Sequence, residues 1–349
     1  MSRLLDDRPF APRDDVAFLR EMTELTQWHR AHCPEYVRIW PVESEPKSTA
    51  DLPFLHVGLF KRLLLQTRAE GIVHQRTLLS SSTTGNQPSR ISLDERSSAL
   101  QARSSLAILT EMVGPERRPL LVLDDARNLR QRGEVSARIA AAMALRPLAC
   151  ETHFLLDESA GRARTRWESL ADVLTRFDDL LVYGLTFLLW TAWAKAGMPD
   201  EIRKQLAGKR VHFVHSGGWK KLESLQVQQA ELERELLAGL DPRSGVVDFY
   251  GLVEQIGVVF PLCSAGARHV PRWADVVVRD PWTLAPLHNE PGLLQLMNVL
   301  AFGAPYHSIL TEDQGQLLPH ETCPCGRPGK RFQLLSRLPQ SETRGCANV

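Results

Sequence analysis

Between residues 119 and 250 the chain repeats one arrangement. Short apolar runs at 119–125, 152–156, 180–183 and 210–215, and a further run opening at Val246, read as buried strands. Stretches at 94–109, 134–145, 170–178, 187–196 and 225–237 carry apolar residues at helical spacing and fall before and between them. Strands alternating with helices predict an α/β fold with parallel pairing and ligands at the carboxyl ends of the strands. Upstream, 18–29 predicts a packing helix. The expected organisation is a helical segment over 1–50 packed on a single α/β domain over 51–349.

Charge narrows the function. The 349 residues carry 42 basic and 41 acidic side chains, so no global field recruits nucleic acid or an acidic membrane. The amino terminus turns acidic and proline-containing before any apolar core of a signal peptide forms. The longest apolar stretch, 180–190, is shorter than the roughly 20 residues a membrane span needs. No membrane insertion and a cytoplasmic location are expected. Six cysteines are too sparse for a disulfide scaffold at this length, which turns attention to metal binding or catalysis.

One loop has no apolar face at all. Leu79 is followed by Ser80-Ser81-Ser82-Thr83-Thr84-Gly85-Asn86-Gln87-Pro88-Ser89-Arg90, dense in hydroxyls and backbone N–H groups, with Gly85 permitting close approach. That is chemistry suited to phosphate oxygens, and Arg90 adds a fixed positive charge. A solvated linker is the alternative, but the run is short, unrepeated and preceded by the strand-like 71–79. No Gly-Lys-Ser/Thr closes it, so it is not a Walker loop. It resembles the phosphate loop of adenylate-forming enzymes, with Ser82 in place of a glycine, one residue inserted before Pro88, and Arg90 near the usual lysine.

Two further motifs follow in the order that resemblance requires. The strand at 210–215 runs into Ser216-Gly217-Gly218-Trp219, where paired glycines let backbone lie flat against a planar ligand. Tyr250-Gly251-Leu252-Val253-Glu254 resembles the Tyr-Gly-x-Thr-Glu motif of the same enzymes. A strand delivers a ring able to stack on adenine, Gly251 permits the turn, and Glu254 can hold Mg²⁺ against phosphates. Val253 replaces a threonine. The three motifs together point to ATP-dependent adenylation of a carboxylic acid, with Tyr183, His215 and Trp219 suggesting an apolar acid pocket for a fatty chain or an aryl ring.

The carboxyl-terminal third sharpens the resemblance. Ser216 to Lys220, Cys263 to Asp280, 307–313, Cys323-Pro324-Cys325-Gly326 and Arg344-Gly345-Cys346 are similar to the acyl-protein synthetase (LuxE-type) family. The resemblance implies the large amino-terminal domain of an adenylate-forming enzyme, with Asp313 as the ribose-binding carboxylate and Arg337 in a hinge-like segment. The expectation is an enzyme lacking the mobile carboxyl-terminal domain that follows this hinge in full-length adenylating enzymes. It also implies acyl-AMP formation and then transfer to a thiol, with Cys346 as acceptor and a reductase or acyl carrier protein as partner. Cys346 has a structural alternative, because Arg-Gly-x-x-Asn-Val also resembles a post-hinge strand of related ligases. Coenzyme A and a carrier protein are the competing acceptors, and a catalytically silent binding subunit is the competitor of another class. Cys263, His269, Cys323 and Cys325 form a Cys3His set suited to structural Zn²⁺, against a reading as unrelated buried thiols.

Overall fold

The apolar run Leu180 to Tyr183 explains the centre of the molecule. Within strand Asp179–Leu185, Leu180 and Val182 pack with Leu170, Val173 and Trp193 on one face, while Leu181 and Tyr183 pack with Leu109, Val113 and Ala142 on the other. A strand covered on both faces has no polar side to show, so it reads as continuous hydrophobicity rather than alternation. The computed structural model describes residues 3–41, 45–80, 87–130, 134–158, 164–217, 227–319 and 322–337, and the statements here concern those residues. Arg118–Val122 and Arg210–Ser216 flank the central strand, Ala149–Phe154 and Gly245–Tyr250 lie outside them, and all five run parallel. Phe260–Pro261 pairs antiparallel with Gly245–Tyr250 at one edge.

A second sheet is built mainly of antiparallel strands Ala274–Arg279, Gly292–Asn298, Ser308–Leu317 and Arg331–Arg337, with Leu55–His56 joining Ser308–Leu317 in parallel. Helix Glu95–Val113 lies between the two sheets. Leu100 and Ile108 pack with Trp273 and Val276 of the second sheet's core, whereas Leu109 and Val113 pack with Leu120 and Val122 of the first. The Asp94 carboxylate caps this helix by accepting from the Ser97 N–H at 2.9 Å. Gly257 sits against the same helix with φ +90, and a Cβ there would fall 2.5 Å from the Gln101 Cβ. Helix Asp15–His32 buries Phe18 and Met22 in the Trp273 cluster. Its His29 ring bridges Thr67 Oγ1 at 2.7 Å and Ala301 O at 2.8 Å, and stacks on His307 with centroids 4.7 Å apart.

Two elements differ from the sequence reading. The helix expected over 134–145 begins only at Ala137, because Glu134–Ser136 pairs in parallel with His74–Leu79. Backbone pairing supplied by a distant strand there outweighs the local helix preference of an Ala-rich segment. The helix expected over 187–196 is one α turn, Thr186–Leu188, followed by the π-helix Leu189–Ala194. The carboxyl-terminal region, to which the sequence reading assigns no strands, forms most of the antiparallel sheet.

Candidate active site

The register of the parallel sheet brings three strand ends level. Ser216 pairs with Leu185 on one side and Phe249 on the other, so Thr186, Gly217 and Tyr250 follow side by side at the carboxyl edge. Thr186 Oγ1 donates to Gly217 O at 2.5 Å, and lies 2.9 Å from His215 Nδ1. With the hydroxyl proton given to the carbonyl, Nδ1–H of His215 is the donor to Thr186 and Nε2 carries the lone pair. His215 is 1% exposed, its Nε2 has no hydrogen-bond partner among the described residues, and burial lowers its pKa, keeping the ring neutral. Its cross-strand neighbour Asp248 accepts from Arg268 Nη2 at 2.6 Å. Tyr183 lies on the opposite face of the sheet, toward helix Glu95–Val113, so it and His215 do not share one wall.

Tyr250 joins the two sheets. Its hydroxyl donates to Asp313 Oδ2 at 2.8 Å, and its ring packs against Phe260 and Phe332, with centroids 6.1 and 6.2 Å away. Burial first, and then the Asp313 carboxylate, raises the phenol well above its ordinary pKa, so it stays a donor. Asp313 N–H donates to Thr311 Oγ1 at 3.1 Å, and Asp313 pairs across the ladder with Arg337. One short 3₁₀ turn beyond Gly251, Val253–Gln255 carries Glu254, which is 5% exposed. Gln255 anchors that turn, donating from Nε2 to Tyr306 O at 2.5 Å and accepting from Asn298 Nδ2 at 2.6 Å. Tyr250, Gly251, Asp313 and Arg337 are therefore brought together, with Gly217 at the adjoining strand end and Glu254 following Gly251 on the anchored turn.

The Ser/Thr loop joins antiparallel strands His74–Leu79 and Arg90–Asp94. Its neck is closed by Ser80 N–H to Ser89 O at 3.1 Å and Ser89 N–H to Ser80 Oγ at 2.8 Å. Arg90 is exposed at the start of the second strand. Ser81, Ser82, Thr83, Thr84 and Gly85 lie outside the described residues, as do Gly218, Trp219 and Cys346. The carboxylates ending strand Arg118–Val122 serve local structure: Asp124 accepts from Asn128 Nδ2 at 2.7 Å, and Asp125 from Arg127 and the Glu158 N–H.

Cys263, His269, Cys323 and Cys325 converge although up to 62 positions separate them, and their donor atoms all lie within 4.8 Å of one another. The Cys263 and Cys323 sulfurs are 3.8 Å apart, and Cys325 Sγ is 3.3 Å from His269 Nε2. A tetrahedral ion with Zn–S near about 2.3 Å separates its sulfurs by about 3.8 Å, whereas a disulfide needs about 2.05 Å. The donor set thus fits zinc. Burial, together with Arg327 and Arg331, pulls the His269 imidazole down to about 4, leaving the neutral ring that metal binding requires. Phe10 packs edge-on against His269 at 6.0 Å, tying the amino-terminal segment to this corner.

The sequence from 5 to 349 matches the model of one family, described as acyl-protein synthetase, LuxE. The chain belongs to the LuxE acyl-protein synthetase family. A long-chain-fatty-acid–luciferin-component ligase of Aliivibrio fischeri is 30% identical over 143 residues, a match covering 40% of this chain and 37% of that relative. Among solved structures, 2-hydroxyisobutyryl-CoA ligase in an open conformation with 2-HIB-AMP and CoA superposes with TM-score 0.68 at 15% identity, covering 93% of this chain and 69% of that one. The same ligase in its thioesterification state gives TM-score 0.69 at 16% identity, over 97% and 70%. The fold of this LuxE-family chain is thus that of the adenylate-forming ligases.

Sequence reading passed over four residues that shape this candidate site. Thr186 had a local signal, a hydroxyl directly after a buried parallel strand. The Asp248–Arg268 pair and Gln255 had none, since each is set by a partner from another part of the chain.

Proposed function

We propose that the chain uses ATP to activate a carboxylic acid as its acyl-adenylate and then passes the acyl group to a thiol. The observation that carries this reading is the Tyr250–Asp313 hydrogen bond, which joins a ring-bearing strand end to a carboxylate of the second sheet beside Gly217 and the Glu254 turn. Tyr250, Gly217 and Gly218 would hold adenine, Asp313 the ribose hydroxyls, with Arg337 alongside, and Ser81 to Gly85 and Arg90 the pyrophosphate end. Attack of a carboxylate on the α-phosphate crowds negative charge, so these residues act by positioning and electrostatic clamping and need no general base. Glu254 would hold Mg²⁺, which when bound neutralises phosphate charge. Similarity to the bacterial long-chain-fatty-acid ligase favours a fatty acid as substrate. Cys263, His269, Cys323 and Cys325 would hold a structural zinc, and a cytoplasmic setting suits these reduced thiols.

In this reading Cys346 is the acyl acceptor and a reductase or carrier protein the next one. As a hypothesis motivated by the Arg344-Gly345-Cys346 motif, Cys346→Ala keeps pyrophosphate exchange but loses hydroxylamine-sensitive labelling by radioactive acid plus ATP. Normal labelling of the variant rules Cys346 out. A parent that never labels, yet forms thioester with coenzyme A or a carrier protein, transfers the acceptor role to those molecules.

A further inference from the structure

A groove opens at the edge of the parallel sheet, between strand Ala149–Phe154 and helix Ala137–Ala144, and has a volume of about 480 Å³. Its floor is Leu120, Val122 and Phe154; Ala142 and Met143 form the helical wall, and Thr152 lies on the open side. Pairing of Leu120 with Thr152 and of Val122 with Phe154 places these four side chains in two level rows on one face of the sheet. Met143 is 38% exposed, which leaves apolar surface uncovered along the groove.

The direction of the groove follows from the chain path. The helix runs down one side, turns through Arg146–Leu148, and the strand returns antiparallel to it. Its upper end therefore meets Val122 and Phe154, the last residues of their strands, so the groove opens at the same carboxyl ends of the sheet as Gly217 and Tyr250, though toward the opposite lateral edge from Gly245–Tyr250. The residue before the helix, Ser136, pairs with Leu79 at the neck of the Ser/Thr loop, so the helix begins beside that loop and descends along the groove. At the lower end Arg117 donates to Ala149 O at 3.0 and 2.5 Å, with Arg146 and Cys150 at the rim. Five residues of strand rise about 16 Å, so the strand wall is long enough to lie along an extended alkyl chain.

Building on the acid-activation reading, we propose that this groove receives the hydrocarbon tail of the acid and sets its length, with Ala142, Met143 and Thr152 as the specificity-determining residues. The carboxyl group would sit at the upper end, by the Ser/Thr loop, and the tail would descend toward Arg146. None of these three side chains belongs to the nucleotide-binding set.

The test compares ATP–pyrophosphate exchange with butyrate, dodecanoate and phenylacetate in the parent, in Thr152→Trp and in Met143→Trp. The parent is expected to favour dodecanoate over butyrate by tenfold or more. Either tryptophan, filling the groove, is expected to bring that ratio within about threefold while butyrate exchange persists. A dodecanoate preference that survives in both variants, or a parent that prefers phenylacetate, overturns the groove assignment. A parent with no exchange on any acid speaks against acid activation instead. Calorimetric titration with dodecanoate then decides the groove separately: binding weakened by Thr152→Trp sustains it, and absent or unaltered binding overturns it.

Discussion

At the scale of single residues, the Tyr250 hydroxyl is the most informative atom. It donates a hydrogen bond to Asp313 from a strand end in the other sheet, and the tilted Phe260 ring and edge-on Phe332 ring packed against it leave it little freedom. Removing one partner of a hydrogen bond to a charged group costs about 1.5–3 kcal/mol. Tyr250→Phe keeps the ring that would stack on adenine but releases the carboxylate meant for ribose. We therefore expect it to raise KM for ATP about tenfold or more and to lower the melting temperature by roughly a few degrees. Exchange kinetics at varied ATP measure this, and an unaltered KM would remove Tyr250 from the positioning of Asp313. Tyr250, Glu254 and Asp313 were legible in sequence because each occupies a fixed place in a short motif. Gln255 was not legible, since its amide matters only through Tyr306 and Asn298, which are distant in the chain.

At the scale of elements, the parallel strands were readable because burial on both faces makes each a near-continuous apolar run. Glu134–Ser136 was not, because its three residues become a strand only by pairing with His74–Leu79. The π-helical turn at Leu189–Ala194 leaves no mark in apolar spacing. The Cys/His corner joins elements that sequence separates: His269 lies on a short strand paired with Arg331–Arg337, and Cys323 and Cys325 precede that strand in chain order. An ion bound there would pin the strand that carries Arg337. The expected result is one zinc per chain by elemental analysis of protein prepared without chelator, and a lower melting temperature for Cys325→Ser with near-parental exchange activity at low temperature. A metal-free parent of full thermal stability would eliminate the zinc assignment.

At the scale of the whole molecule, the α/β class was foreseeable, but the joint between sheets was not. Helix Glu95–Val113 contributes Leu100 and Ile108 to one core and Leu109 and Val113 to the other, an arrangement fixed by tertiary packing rather than by any local pattern. The antiparallel sheet escaped the reading because Gly292–Asn298 is buried throughout in the manner of a parallel strand, while Ser308–Leu317 is buried at its start but polar and half-buried from Glu312 to Gln314 and so shows no strand pattern of its own. The two sheets converge where Tyr250 meets Asp313, and Glu254 follows on the turn that Gln255 fastens to the second sheet. The central claim is that this convergence adenylates a carboxylic acid. It is tested most directly by ATP–pyrophosphate exchange with a panel of acids, in the parent and in Glu254→Gln. The account predicts acid-dependent exchange in the parent and a loss of two to three orders of magnitude in the variant, as expected when roughly 3–4 kcal/mol of charge stabilisation is removed. Exchange that stays within a few-fold of the parent in Glu254→Gln, or a folded parent that exchanges with no acid, would contradict it.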